Sequence, residues 1–375
     1  MNSRVSLVKC KSYEPSLVQG AIRKAIDLLG GISNFIKPQS RVLVKPNLLM
    51  AKEPEFGITT HPEVVRAVIK ILKQINCAII VGDGPNVWGN QAEKVKVDEV
   101  YEKSGMRRIC QEEKVELIRF DRRHWYEKFP LTTWVDNCDY ILNLPKFKTH
   151  DLTILTGAIK NLFGLIPGTY KTELHKKYFA AEDFSKILVD IYEKTKPALT
   201  IIDAIVAMEG NGPGTSGKLR NVGLILAGND CVALDSILAL IMGLKPLDIL
   251  TTKEAAGRGL GTVDLNSIQI LGEELKDIIG SPFLLPTTSP LRKKIPRPII
   301  NLAKKFIRYY PYVEQNNCIQ CAACIQACPN KIISMKNDRI IFDYSKCIAC
   351  FCCQEVCPAS AIKVKKSLLA KIIGL

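Results

Sequence analysis

Apolar residues along the first 280 positions follow two alternating rhythms. Short runs of Val, Ile and Leu between turn residues predict strands at 5–10, 41–45, 78–81, 115–120, 140–144, 200–205, 222–227 and 268–271. Between them, apolar positions spaced three and four apart predict helices at 16–29, 62–75, 94–104, 184–194, 231–242 and 247–258. His61-Pro62 sets a proline in a first helical turn, and Asp230 reads as an N-cap. This alternation implies an α/β fold, a mostly parallel sheet flanked by helices, with ligands expected at the carboxyl ends of the strands.

After position 280 the pattern changes. Residues 281–311 hold six prolines and the basic run 291–298, and predict a Pro-rich basic linker. Within it, Ile299, Leu302, Ala303, Phe306 and Tyr310 fall at helical spacing with Lys304, Lys305 and Arg308 between them. Such an amphipathic helix suits docking the next unit onto the α/β body, or contact with an anionic membrane surface. Residues 312–366 predict a small α+β unit with strands at 332–336, 339–343 and 361–365 and a turn at Asn337-Asp338. A basic, apolar tail fills 367–375.

Composition adds limits. A chain of 375 residues, 47% hydrophobic and 24% charged, suits two domains and excludes a disordered, collagen-like or coiled-coil protein. The longest apolar stretch, 231–244, is interrupted by Asp235 and is too short to cross a bilayer. The first residues lack the apolar core of a signal peptide, so the expected location is cytoplasmic. The formal charge is +15, unevenly placed: from Thr287 onward 15 Lys or Arg face 4 Asp or Glu, while the rest balances 37 against 33. A basic tail suits an acidic partner protein or anionic lipid. The absence of a reading motif argues against nucleic acid.

The cysteines fall into two classes. Cys10, Cys77, Cys110, Cys138 and Cys231 are scattered and read as structural thiols. The other nine lie within 40 residues, as Cys318-x2-Cys321-x2-Cys324-x3-Cys328-Pro329 and Cys347-x2-Cys350-x2-Cys353-x3-Cys357-Pro358, plus Cys352. A disulfide framework does not suit a reducing compartment, and zinc sites favour two CxxC pairs set further apart. The spacing is that of two-cluster bacterial ferredoxins, in which the fourth thiol of each run serves the other cluster. Two 4Fe–4S clusters are expected. The first takes Cys318, Cys321, Cys324 and Cys357, and the second Cys347, Cys350, Cys353 and Cys328. Cys352 is left beside the second.

Strand ends in the long domain carry the other candidate chemistry. These are Lys45 and Asn47; Asp83; Lys146, Lys148 and His150; Lys160 and Asn161; and Asp203. Lysines at several strand ends suit a small anionic substrate. His61, His150 and His175 are candidate acid–base groups or metal ligands. Met208 and Trp88 read as packing residues. Val81-Gly82-Asp83-Gly84-Pro85-Asn86 is not a dinucleotide fingerprint, and no P-loop is present.

Taken together, Lys45-Pro46-Asn47, Thr60-His61-Pro62-Glu63-Val64, Gly82-Asp83-Gly84-Pro85, Asn143-Leu144-Pro145-Lys146, Lys148-Thr149-His150, Lys160-Asn161-Leu162-Phe163-Gly164 and Glu209-Gly210-Asn211-Gly212-Pro213 resemble the DUF362 family. The segment 350–358 looks like the ferredoxin unit that some members append. The resemblance implies an iron–sulfur protein built on an α/β domain and supplies no catalytic residues. The expected function is an oxidoreductase that passes electrons through the clusters, from a soluble donor protein, to a small anion in the α/β domain. The alternatives are an electron carrier whose α/β domain binds a partner, and a redox or ligand sensor.

Overall fold

The computed structural model describes residues 3–85, 93–289 and 309–367. Trp88, most of the segment expected to form the basic helix, and the tail from 368 lie outside them. The larger unit is built on a ten-stranded sheet. Its strands are β1 (Ser3–Lys9), β2 (Arg41–Pro46), β3 (Ala78–Gly82), β4 (Glu116–Ile118), β7 (Tyr140–Leu144), β8 (Lys146–His150), β9 (Ile154–Thr156), β10 (Leu199–Gly210), β11 (Gly217–Gly228) and β12 (Ile268–Gly272). A separate hairpin pairs β5 (Arg123–Tyr126) with β6 (Phe129–Thr132).

The main path runs β12-β1-β11-β10-β7-β2-β3-β4, with β8 on the outer half of β10 and β9 on β8. The pairings β2–β3, β2–β7, β3–β4, β10–β7, β10–β8 and β1–β12 are parallel, so the sheet is mostly parallel. The departures are β1–β11, β8–β9 and β10–β11, all antiparallel, the last a pair of 12-residue strands joined through the Gly-rich turn after Gly210. Strands expected at 200–205 and 222–227 therefore extend further, one out to Gly210 and the other back to Gly217. The register shift between Ala204 and Val206 turns the outer half of β10 away from β7 and onto β8.

Alternation along the strands separates two cores. Val42 and Val44 point to one face, against helices α1 (Pro15–Leu28), α2 (Pro62–Gln74), α3 (Glu93–Lys103) and α4 (Met106–Glu112). Leu43, Ile202 and Leu226 point to the other. There they meet α5 (Ala158–Asn161), α7 (Ala181–Thr195), α8 (Cys231–Ile241) and α9 (Leu250–Gly257), with α6 (Tyr170–Lys177) preceding α7. The expected caps are in place. Pro62 opens α2, His61 Nδ1 accepts the Glu63 N–H, and Asp230 accepts the N–H groups of Val232 and Ala233.

The segment after 280 is not a loose linker over its described part. Phe283 is buried against Phe147, ring centroids 5.0 Å apart. Gly210 N–H donates to Leu284 O at 2.6 Å, and Thr287 N–H to Asn211 Oδ1 at 2.7 Å. The smaller unit pairs β13 (Tyr309–Val313) with β16 (Ile362–Lys366), and β14 (Ile333–Lys336) with β15 (Arg339–Phe342). Its helices are α10 (Ala323–Ala327) and α11 (Cys352–Glu355). Tyr310, expected at the end of a helix, is in a strand. It pairs with Lys365 and packs edge-on against Tyr344, so the small unit reaches back at least to Tyr309.

Candidate functional site

The carboxyl edge of the sheet gathers most of the anticipated residues and sorts them into three groups. Lys45, at the end of β2, is fully buried, with Nζ 2.7 Å from Asp83 Oδ1. It also donates to Pro46 O and Asn161 Oδ1. Burial pushes its pKa down and Asp83 opposes that shift. Asp83 is fixed in turn by the Leu48 N–H at 2.7 Å, and Asn161 by Asn143 Oδ1 at 2.8 Å. A side chain on Gly164 would collide with both Asp83 and Lys45, so glycine is what lets the α5 turn close over the pair.

Lys146, at the start of β8, lies 2.9 Å from Asp203 Oδ2 and donates to the Tyr13 hydroxyl. That hydroxyl donates to Asp203 Oδ1 at 2.8 Å and accepts the Val206 N–H freed by the β10 irregularity. The Tyr13 ring stacks on His61 at 3.7 Å. Burial holds the His61 pKa down at about 4. Every polar atom named in this group has a partner within it or in the neighbouring backbone.

The third group surrounds a small cavity of about 40 Å³. Asn47, Asp83, Lys148, Lys160, Asn161, Lys171, His175 and Glu355 line it, with Thr156, Phe163 and the Gly84 and Gly164 backbones. Lys148 reaches it because β8 alternates: Phe147 enters the core while Lys146, Lys148 and His150 face the opposite way. Lys148 Nζ donates to Ile58 O at 2.6 Å. Burial sets its pKa well down, and the charges of Lys160 and Lys146 add to that. Burial also lowers Lys160, against the pull of Glu355. His175, stacked on Phe184 and edge-on to Phe163, is held at about 3 by burial and is a neutral imidazole.

Five buried polar atoms in this lining have no hydrogen-bond partner among the described residues: Asp83 Oδ1 and Glu355 Oε1, which have ion-pair partners in Lys45 and His150, and Asn47 Oδ1, Thr156 Oγ1 and His175 Nδ1, which have neither. Buried polar groups in native proteins are nearly always satisfied, so such a concentration makes this cavity the candidate ligand site.

The ferredoxin-like unit closes one side of the cavity. His150 Nδ1 accepts the N–H groups of Leu152 and Thr153, which leaves its other N–H directed at Glu355 Oε1, 3.0 Å away. Burial keeps His150 neutral, its pKa down at about 4. Burial works against ionisation of Glu355, but His150 and Lys160 outweigh it and hold its pKa at about 2. Neighbouring Asp151 is pushed up to about 8, by burial and then by Glu355. Thr215 donates to Cys357 O at 2.7 Å, and a side chain on Gly214 would sit 2.7 Å from Glu355 O.

The two cysteine runs fold alike. Gln320, Ala322 and Lys331 have positive φ, and so do Ala349, Phe351 and Ser360, each 29 residues later. Residues with side chains rarely adopt this conformation. Its repetition at matching places in both loops fits a backbone wrapped around an inorganic core. Burial and the neighbouring thiols Cys357, Cys321 and Cys318 raise the Cys324 pKa. Burial raises the Cys353 pKa, and the neighbouring thiols Cys350, Cys324, Cys328 and Cys347 add to it. Cys352 is buried, and Cys350 and burial push its thiol pKa well up. Cys10, Cys110 and Cys231 are buried, and Cys77 and Cys138 partly so.

Sequence reasoning did not single out Tyr13, Thr156, Lys171, Asp151 or Glu355. Glu355 sits between two cysteines whose spacing claimed all attention, and only the fold brings it to the strand edge.

Comparison with known proteins agrees with this division of the chain. A family model described as "Domain of unknown function (DUF362)" matches residues 42–239, and one described as "4Fe-4S dicluster domain" matches residues 310–358. The small unit is thus a 4Fe–4S-binding domain. The chain is 31% identical to the thylakoid-associated protein sll1697 of Synechocystis over 324 residues, 84% of this chain and 97% of that protein. No helix among the described residues is long and apolar enough to cross a membrane.

Proposed function

The chain belongs to the DUF362 family, and on that premise we propose that it is an iron–sulfur oxidoreductase that delivers electrons to a small anionic substrate held between its two units. Cys318, Cys321, Cys324 and Cys357 would hold one 4Fe–4S cluster, and Cys347, Cys350, Cys353 and Cys328 a second. When bound, the clusters supply one-electron transfer. The remaining work falls to the chain. Lys160 provides the charge that attracts the anion. Lys45 and Asp83, each satisfied by the other, fix the floor beneath it. Glu355 forms the wall on the cluster side and, with Phe163, keeps water from the cavity.

A single observation carries this reading. A cavity lined by buried lysines and unsatisfied polar atoms is walled by a residue that stands between two cluster cysteines. An electron arriving at the clusters is therefore next to whatever the cavity holds. The reading places this chemistry in a reducing compartment. The association of the Synechocystis relative with thylakoids supports a position near a membrane surface.

The test is reoxidation. Anaerobically reconstituted protein, reduced with dithionite, is offered pools of small carboxylates and phosphates while cluster absorbance is followed. Reoxidation by one of them, slowed at least about tenfold by Lys160→Ala, is the expected result. Reoxidation only by a protein acceptor, unchanged in that variant, would make the molecule an electron carrier instead.

A further inference from the structure

Three lysines at the carboxyl edge are buried almost completely, and the chain treats them differently. Lys45 has Asp83 and Lys146 has Asp203, each a carboxylate within ion-pair distance. Lys148 is 1% exposed and has, among the described residues, no such carboxylate; its one hydrogen-bond acceptor is the Ile58 carbonyl. An ammonium group carries three donors and needs a counter-charge when buried. An amine carries two donors and a lone pair. One carbonyl acceptor and a cavity suit the amine better. The charged groups around it act in the same sense. Lys160 and Lys146 oppose a proton there, while the favourable Glu355 and Asp83 rank below them, and burial outweighs all four. A desolvated lysine beside other cations is the setting in which an amine becomes a nucleophile.

We infer that Lys148 forms an imine with the carbonyl carbon of a small oxo acid bound in this cavity, an inference that rests on the cavity being the substrate site. Nζ attacks the carbonyl carbon. A carbon–nitrogen double bond replaces the carbon–oxygen double bond, and the oxygen leaves as water with the two amine hydrogens. No electrons enter or leave in this step. Lys160 takes the carboxylate of the acid. Thr156 Oγ1 and His175 Nδ1, both without partners, line the same cavity and are available to the departing oxygen. The substrate class narrows accordingly, from any small anion to one bearing both a carboxylate and an aldehyde or ketone.

Covalent trapping decides the matter. The cluster-loaded full chain is incubated at neutral pH with glyoxylate or pyruvate and cyanoborohydride, then digested and mapped by mass spectrometry. Reductive alkylation of Lys148 should run at least about tenfold ahead of exposed lysines, since each unit of pKa depression raises the free-amine fraction up to tenfold. Lys148→Arg, which keeps a cation but cannot form the imine, should lose the selective adduct. A saturating oxo acid that alkylates exposed lysines and leaves Lys148 unmodified would overturn the inference. So would reoxidation by an oxo acid that survives Lys148→Arg at full rate. Trapping needs no electron transfer, so the two readings fail separately. An adduct without substrate-driven reoxidation would sink electron delivery alone, and reoxidation without an adduct would sink the imine alone.

Discussion

His150 and Glu355 meet at 3.0 Å across the boundary between the two units, both almost fully buried. Because His150 Nδ1 is occupied by two backbone N–H groups, the imidazole can only donate toward the carboxylate. Glu355→Leu removes that acceptor and strands a buried N–H, which costs about 1–3 kcal/mol. Denaturant unfolding of the reconstituted protein should show that loss, and Glu355→Gln, which keeps an acceptor oxygen, should recover most of it.

The proposed crossed ligand sets would give the two fourth cysteines opposite effects. Cys328→Ser should spare the cluster of the first run and damage that of the second, and Cys357→Ser should do the reverse. Electron paramagnetic resonance of the reduced protein, with iron and sulfide near roughly eight each per wild-type chain, checks this. Cys352→Ser should keep both clusters; loss of either would make Cys352 a ligand.

The Lys45–Asp83 pair is structural and should respond as a buried ion pair. Asp83→Asn leaves an ammonium group buried without its partner, at a cost of about 3–5 kcal/mol. The double variant Lys45→Met/Asp83→Asn should be less destabilised than Asp83→Asn alone. Equal losses would mean that the two residues are not coupled. Chemical denaturation of all three variants measures the difference.

Acid should loosen the α/β unit through His61. Its pKa is held at about 4 in the folded chain against an ordinary 6.5, so unfolded chains take up the proton first as pH falls. The stability it contributes is complete above pH 6.5 and is lost as pH falls through 4, by up to about 3 kcal/mol. His61→Asn keeps a capping side chain for α2 and removes the titration. Between pH 6.5 and 4, its stability curve should be flatter by about one proton.

The sequence exposed the fold where residues answered to local rules. The runs at β2, β3 and β7 are apolar on both faces and bounded by turns, and α2 and α8 begin at side chains that cap them. It misled where tertiary contacts override local chemistry. Lys146, Lys148 and His150 read as the end of the strand at 140–144, yet they form a strand of their own, β8, since Asp203, Ile58 and Glu355 provide partners distant in sequence. The outer arms of β10 and β11 carry Glu209, Lys218 and Arg220, which hide their strand character. Within the site, residue type was enough to nominate Lys160 and Asp83. It could not tell that Lys45 and Lys146 are each matched to a carboxylate while Lys148 is not. The cysteine spacing was the most legible feature, because a fixed inorganic geometry dictates it.

Gly214 lies against the backbone of Glu355, and Thr215 grips Cys357. A foreign ferredoxin grafted in place of residues 309–367 would keep the cysteine pattern and lose this fit, leaving the chamber open to solvent on one side. The cluster-binding unit and the cavity wall it forms are therefore built as one piece, and interchangeable redox modules would not transplant into this scaffold without rebuilding the strand edge they cover.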